Sequence, residues 1–186
     1  MSFKDSVRIG LGRNLEGMRQ VLDGLTPEEL LWQATPTTNH ITWIRWHMAR
    51  GEDIFVGRAL DLGSSWIDGD WASSLRFGED DDDTGVGWTI EQVAAMPEVS
   101  IDLLLDYHSA GGERTLAEFE KLTDPDMDRM YHSMQRWDVT GAQLFSIIVT
   151  ERSAHMGQIA FIRGMQRGLE DQDQRAREWM REMRRP

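Results

Sequence analysis

The sequence contains no cysteine, only two lysines and no long hydrophobic run. Without cysteine, the chain has no disulfide, no thiolate metal ligand and no thiol nucleophile of its own. No apolar stretch approaches the roughly 20 residues that a membrane span requires, and the first residues lack the hydrophobic region of a secretory signal. We therefore expect a cytoplasmic protein with no membrane partner.

Negative charge also outweighs positive charge, since the 186 residues carry a formal net charge of −12. An acidic chain repels phosphate backbones, so we expect no nucleic-acid partner. The length suits one domain with a substantial core. Hydrophobic residues make up 40% and charged residues 28% of the chain, which is typical of globular proteins.

Hydrophobic spacing and helix-start signals predict four long helices. They should cover about residues 2–24, 38–60, 97–121 and 141–167. Three capping boxes mark helix starts, at Thr26, Thr89 and Thr140. Gly168 is a plausible residue to end the last long helix. We therefore divide the chain into a helical bundle, residues 1–168, and a charged tail or short helix, residues 169–186.

Residues 61–88 differ in composition from the predicted helices. This crossover is rich in glycine and aspartate, yet it contains Trp66, Trp71 and Trp88. Because disordered linkers are poor in aromatic residues, we predict an ordered crossover that packs on the bundle through its tryptophans. A lid over a functional site is the alternative. The acidic block 79–83 lacks the alternating ligands and turn glycine of a calcium loop, which favours solvated surface.

These elements predict an all-α fold, a four-helix bundle with a long crossover between the second and third long helices. No alternating run in the sequence predicts a strand. The residues around His132 should then form a loop before the last long helix.

The most informative anomaly is a set of polar residues on predicted core faces. Glu151 and His155 interrupt the apolar stripe of the last long helix, one turn apart. His47 lies in the middle of the apolar stripe of the second long helix. Buried carboxylates are unfavourable unless they are paired or bind a metal.

The spacing leaves two interpretations open. Two imidazoles and one carboxylate form a set suited to Zn(II), Ni(II), Fe(II) or Mn(II), with open positions for water or substrate. Alternatively, Glu151 and His155 form a hydrogen-bonded pair within the core, and His47 is unrelated to them.

Other polar residues are weaker candidates. His108 lies on the seam of the third long helix, either as a core histidine or near the same centre. Gln158 could orient a ligand or pack against a backbone carbonyl. We expect Glu52 to make a structural contact, and His40 and His132 to face solvent.

Three segments resemble the DinB/YfiT-like superfamily. Residues 43–52, WIRWHMARGE, are similar to its helix-two segment W-hydrophobic-x-x-H-hydrophobic-A-x-x-E. Residues 151–159, ERSAHMGQI, resemble its helix-four segment H/E-x-x-x-H-x-G-Q, and Gly24–Leu30 resembles its GLSPEEL turn. The three segments occur in the family's order and span most of residues 8–168.

The resemblance implies a metal-binding four-helix bundle, often dimeric, with His47, Glu151 and His155 as metal ligands. It also implies relatives that carry out transfer or isomerisation with low-molecular-weight thiols such as mycothiol or bacillithiol. Many relatives have three histidines, whereas here Glu151 occupies the first helix-four position. A carboxylate ligand lowers the charge of the site by one unit, which puts the identity of the metal in question.

We therefore predict a metal-dependent enzyme acting on a small molecule, as a thiol-dependent S-transferase or isomerase, with hydrolysis left open. Its cofactors would be a divalent metal ion and a low-molecular-weight thiol, and its partner a second copy of the chain. The alternative is a non-catalytic dimeric bundle or a small-ligand-binding protein, with a structural metal or a polar core pair.

Overall fold

The computed structural model describes residues 2–78, 80–134 and 137–182. Four long helices dominate it: α1 (Phe3–Leu22), α3 (Ile41–Ala59), α7 (Ile101–Lys121) and α9 (Gly141–Glu182). Shorter elements lie between them, namely α2 (Pro27–Leu31), α4 (Ser65–Asp68), α5 (Trp71–Leu75), α6 (Ile90–Ala94), α8 (Asp124–Asp128), β1 (Met130–Met134) and β2 (Trp137–Thr140). The predicted four-helix bundle with one long crossover is confirmed.

The predicted capping boxes begin helices as expected. Thr26 precedes α2 and exchanges hydrogen bonds with Glu29, and Thr89 does the same with Gln92 before α6. Before α9, the Gln143 amide donates to the Thr140 hydroxyl at 3.2 Å, and the Thr140 amide donates to the Gln143 side chain at 2.9 Å. Each box satisfies backbone N–H groups that have no partner within the helix.

Helix α3 is the central element of the bundle. It contacts α7, α9 and β1, and most of its residues are buried, polar ones included. The apolar residues of its predicted face are all buried, namely Ile41, Ile44, Met48, Ile54 and Phe55. The charged side chains of Arg50, Glu52 and Asp53 are buried as well, although the sequence pattern did not predict it.

A β-hairpin replaces the loop predicted around His132. Strands β1 and β2 pair in antiparallel orientation, with Tyr131 opposite Val139. Tyr131 and Val139 point into the structure, while His132 and Asp138 stay exposed and pair at 2.8 Å. The buried alternation covers only a few residues, which is too short to stand out as a strand pattern.

The crossover is ordered and packs through its aromatic residues, as predicted. Trp46 of α3 is fully buried against Phe77 and Trp88, at ring-centroid distances of 5.3 and 5.0 Å, and against Trp66 at 6.3 Å. In the acidic block, Asp80–Asp82 are exposed, which agrees with a solvated surface, and Glu79 lies outside the described residues. Asp83 instead accepts a hydrogen bond from the Trp88 indole at 2.9 Å.

Two buried charges of α3 anchor the crossover. The Arg50 guanidinium donates to the backbone carbonyls of Asp81 and Asp83, the latter at 3.2 Å. Asp53 accepts from the backbone amides of Ser65 and Trp66, at 2.9 and 3.0 Å, at the start of α4. Because both anchors are on neighbouring turns of α3, they fix the two ends of the crossover against the same helix.

Beyond Gly168 the chain remains helical. Gly168 has φ +78° and kinks α9, a conformation that glycine adopts readily. Asp171, on the far side of the kink, pairs with Arg163 at 2.7 Å and with Arg175 at 3.0 Å. These cations lower the pKa of Asp171 below its usual range. Residues 183–186 of the predicted tail lie outside the described residues.

The solvent-facing position predicted for His40 is wrong. This residue caps α3 with Nδ1, which accepts from the Trp43 amide at 3.1 Å, and its Nε2 donates to the Val93 carbonyl at 3.0 Å. It is 2% exposed, and burial lowers its pKa. The partner Val93 is 53 residues away, so no local pattern indicates this contact.

No helix within the described residues is both long and apolar enough to cross a membrane.

A buried ion pair joins α3 to α9. Glu52 accepts two hydrogen bonds from Arg152, from Nε at 2.6 Å and from a terminal nitrogen. Their side chains are 4% and 2% exposed. The structural contact predicted for Glu52 is therefore confirmed. Arg152 also donates to the Leu11 carbonyl at 3.4 Å, which adds α1 to the same junction.

We predict that E52Q destabilises the protein by about 3–5 kcal/mol, because it leaves the buried Arg152 guanidinium without a counter-charge. Urea denaturation measures the change in the free energy of unfolding. The matched control is E120Q, which breaks the exposed Arg8–Glu120 pair and should cost at most about 1 kcal/mol. Equal losses in the two variants would contradict a stabilising role for the buried pair.

Candidate metal centre

The predicted site residues line one pocket of about 390 Å³. The pocket lies between α3, α9, the hairpin and the end of the crossover. His47, Glu151 and His155 all line it, together with Thr84 of the crossover and Trp137 of β2. The structure therefore brings all three predicted ligands to one cavity.

His47 presents one ring nitrogen to this pocket. Its Nδ1 lies 2.6 Å from the Thr84 carbonyl oxygen. Because a carbonyl only accepts, Nδ1 carries the proton, and Nε2 keeps its lone pair. The ring also stacks on Trp43, with centroids 4.7 Å apart. Burial lowers the pKa of His47, which favours the neutral imidazole that metals bind.

His155 has the same arrangement on α9. Its Nδ1 lies 2.9 Å from the side-chain oxygen of Gln158, and donation from Nδ1 to this oxygen leaves the lone pair of the neutral ring on Nε2. Nε2 lies 3.5 Å from Oε2 of Glu151, one helical turn away. The imidazole rings of His155 and His47 are 5.1 Å apart and nearly perpendicular.

The depth predicted for Glu151 needs correction. Its side chain is 60% exposed, and that of His155 is 13% exposed, so the pair lies at the pocket and not in the bundle centre. The buried face of α9 includes Ile148, Arg152 and Ile159. The buried face of α9 therefore contains Arg152 in place of the predicted Glu151 and His155. Arg152 can be buried because it pairs with Glu52.

The donor set suits a divalent metal ion, although the ligands are not in a finished geometry. Two neutral imidazole nitrogens and one carboxylate match the ligand types of Zn(II), Ni(II), Fe(II) and Mn(II). Hydrogen bonds from the second ring nitrogen of each histidine are typical of metal-binding histidines. Within the described parts of the chain, no three His, Asp or Glu side chains already stand in a complete metal-ligand arrangement.

The remaining candidates separate clearly. His108 is 3% exposed and does not line the pocket, as expected of a core histidine. Burial and the nearby Arg45 hold the pKa of His108 well below its usual range. His132 is largely exposed on the hairpin, as predicted. Gln158 contacts His155 directly and so belongs to the candidate site.

Sequence reasoning missed Thr84 and Trp137. Thr84 contributes its backbone carbonyl, which any residue type could supply, so the sequence holds no signal for it. The following Gly85 has φ +80°, and a Cβ there would lie 2.8 Å from the Trp43 indole nitrogen. This close approach of backbone to α3 brings the Thr84 carbonyl to His47, and a glycine next to the acidic block was the available clue.

Comparisons with known proteins agree with this architecture. Among curated proteins, none matches the chain significantly. The chain is similar to the crystal structure of a conserved protein from Enterococcus faecalis, with a TM-score of 0.74 and 21% sequence identity. The match covers 88% of this chain and 96% of that chain, which shows a shared fold.

A family model described as the DinB superfamily matches residues 11–159. This range contains the four segments that form the pocket, from α3 to the middle of α9. The chain therefore belongs to the DinB superfamily.

Proposed function

We propose that this protein is a metal-dependent enzyme that binds one divalent ion through His47, Glu151 and His155. One observation carries the proposal: both histidines line the same pocket as Glu151 and place Nδ1 at hydrogen-bond distance from a neighbouring oxygen, which leaves Nε2 as the nitrogen that could bind a metal. The Glu151 carboxylate lies beside one of these nitrogens. Zinc, nickel, iron and manganese are the candidate ions.

The bound ion would act as a Lewis acid and lower the pKa of a coordinated thiol or water. The chain itself orients the ligands: the Thr84 carbonyl fixes the His47 ring, and Gln158 fixes the His155 ring. Because the chain has no cysteine, the thiol must come from a low-molecular-weight co-substrate. Glu151 lowers the net charge of a divalent site by one unit.

The reaction that fits this site is thiol-dependent transfer or isomerisation of a small molecule. In transfer, a sulfur–carbon bond forms, the leaving group departs with its bonding electrons, and the thiol proton passes to solvent. The crossover residues Thr84 and Val86 and the hairpin residue Trp137 border the pocket. Hydrolysis by a bound water is the competing reaction of the same site.

Metal content tests the proposal directly. Untagged protein purified without added metal or chelator should contain about one Zn, Ni, Fe or Mn per chain by elemental analysis. The H47A/H155A double variant should lose this metal. The control H132A should retain it, because His132 is exposed and pairs with Asp138 on the hairpin.

A wild-type protein that has no metal and takes up none on titration would contradict the proposal. It would favour the non-catalytic alternative, in which Glu151 and His155 are only a polar pair.

Turnover tests the reaction class. Metal-loaded wild-type protein, assayed with a panel of low-molecular-weight thiols and small electrophiles, should show thiol-dependent product formation. The rate of thiol-dependent product formation should fall about 100-fold or more in H155A. Even changes to residues that only hydrogen-bond to a metal ligand reduce activity about 10–100-fold. Activity unchanged in H155A would exclude a reaction at this centre, and turnover independent of thiol would favour hydrolysis.

We also infer a homodimer. Phe161 and Met165 lie one turn apart on α9, before the kink at Gly168, and are 71% and 50% exposed. An apolar face of this kind is typical of a contact between subunits. Sedimentation should give a dimer that F161D shifts toward monomer, and a wild-type monomer at all concentrations would contradict the inference.

A further inference from the structure

Apart from the proposed ligands, Thr84 and the paired side chains of Glu52 and Arg152, the walls of the pocket are apolar. The apolar lining comes from four elements of the fold and consists of Met48, Phe55, Val86, Trp137, Ile147 and Ile148. A volume of about 390 Å³ lies toward the small end of the range for small-molecule sites. The pocket therefore has room for one small organic molecule and favours an apolar one.

The charges around the pocket do not favour an anionic ligand. Arg152 is the sole guanidinium or ammonium group among the described lining residues, and Glu52 already binds it with two hydrogen bonds. Since a buried carboxylate needs a free donor or cation, an anionic group at any point of the pocket other than the proposed metal ion would lie without a partner. A cationic group would be repelled by the proposed metal ion.

The mouth of the pocket carries exposed apolar side chains on two different elements. Trp137 of β2 is 61% exposed, and Val86 of the crossover is 75% exposed. The rings of Trp137 and of Phe55 in α3 are in a T-shaped contact, at a ring-centroid distance of 6.3 Å and an angle of 71°. The remaining indole surface is open, and an aromatic ring stacks on such a face more favourably than an aliphatic chain does.

We propose that the substrate has an uncharged aromatic end, and that Trp137 is the residue that selects it. The aromatic end packs against Trp137 and Phe55, and the reacting end points toward His47, Glu151 and His155. The location of the reacting end rests on the proposed function, whereas recognition of the aromatic end depends only on the pocket walls.

Calorimetric titration with three matched probes tests this proposal. The probes share a naphthalene ring and differ in the group at position 2: hydroxymethyl is neutral, carboxylate anionic and aminomethyl cationic at pH 7. In the H47A/H155A double variant, where no metal ion can pair with the carboxylate, the neutral probe should bind about tenfold or more tightly than either charged probe. W137A should weaken binding of the neutral probe about tenfold, equivalent to about 1.4 kcal/mol, and W137F should restore part of it.

Two controls complete the design. W179A removes a tryptophan that is 48% exposed on the segment beyond Gly168, and it should leave probe binding unchanged. V86D places a carboxylate at the mouth of the pocket without altering Trp137. It should weaken binding of the neutral probe. Circular dichroism melts of all variants separate loss of recognition from loss of folding.

Equal or tighter binding of the anionic probe to the H47A/H155A double variant, which lacks the proposed metal ligands, would overturn the proposal, and so would full affinity of W137A for the neutral probe. The H47A/H155A double variant distinguishes this result from failure of the proposed function. This variant should lose the metal and still bind the neutral probe, because Trp137 and Phe55 are not among the proposed metal ligands. Loss of the neutral probe in a folded double variant would mean that the walls alone do not recognise the ligand.

Discussion

The bidentate contact between Glu52 and Arg152 is the interaction on which the rest of the structure depends. It joins the centre of α3 to α9 through two parallel hydrogen bonds, in a place where both side chains are almost completely buried. A planar guanidinium accepts a carboxylate in few orientations, so the contact fixes the rotation and register of both helices. His47 precedes Glu52 on α3, and Glu151 and His155 flank Arg152 on α9. The ion pair thus determines which nitrogen atoms face each other across the pocket.

The crossover adds a second constraint from the opposite side. Arg50 binds backbone carbonyls at its acidic end, and Asp53 binds backbone amides at its beginning. Directly after the Arg50 anchor, Gly85 approaches α3 closely and places the Thr84 carbonyl on Nδ1 of His47. Core charges, crossover and candidate metal centre therefore form one connected arrangement. The hairpin completes it by contributing Trp137, whose exposed face gives the mouth of the pocket its apolar character.

Much of the fold follows from local signals, and the parts that do not have long-range causes. Capping boxes at Thr26, Thr89 and Thr140 and periodic apolar residues predict where the helices begin and which faces they bury. His47, Glu151 and His155 stand out because polar residues interrupt those faces, and the structure brings them to one pocket. The burial of Arg152 was not predictable, since its partner lies 100 residues away. His40 was misplaced for the same reason, and Thr84 acts through a backbone atom that every residue has.

The most direct measurement of the central claim is a crystal structure with anomalous diffraction data collected on both sides of the absorption edge of the metal. The account predicts one anomalous peak in the pocket, at about 2.0–2.2 Å from Nε2 of His47, Nε2 of His155 and a carboxylate oxygen of Glu151. Diffraction locates the ion itself, so it tests the ligand set and not only the presence of metal. Two results from a metal-supplemented crystal would contradict the account. The anomalous peak could lie elsewhere, or neither Nε2 atom could have a metal ion bound to it.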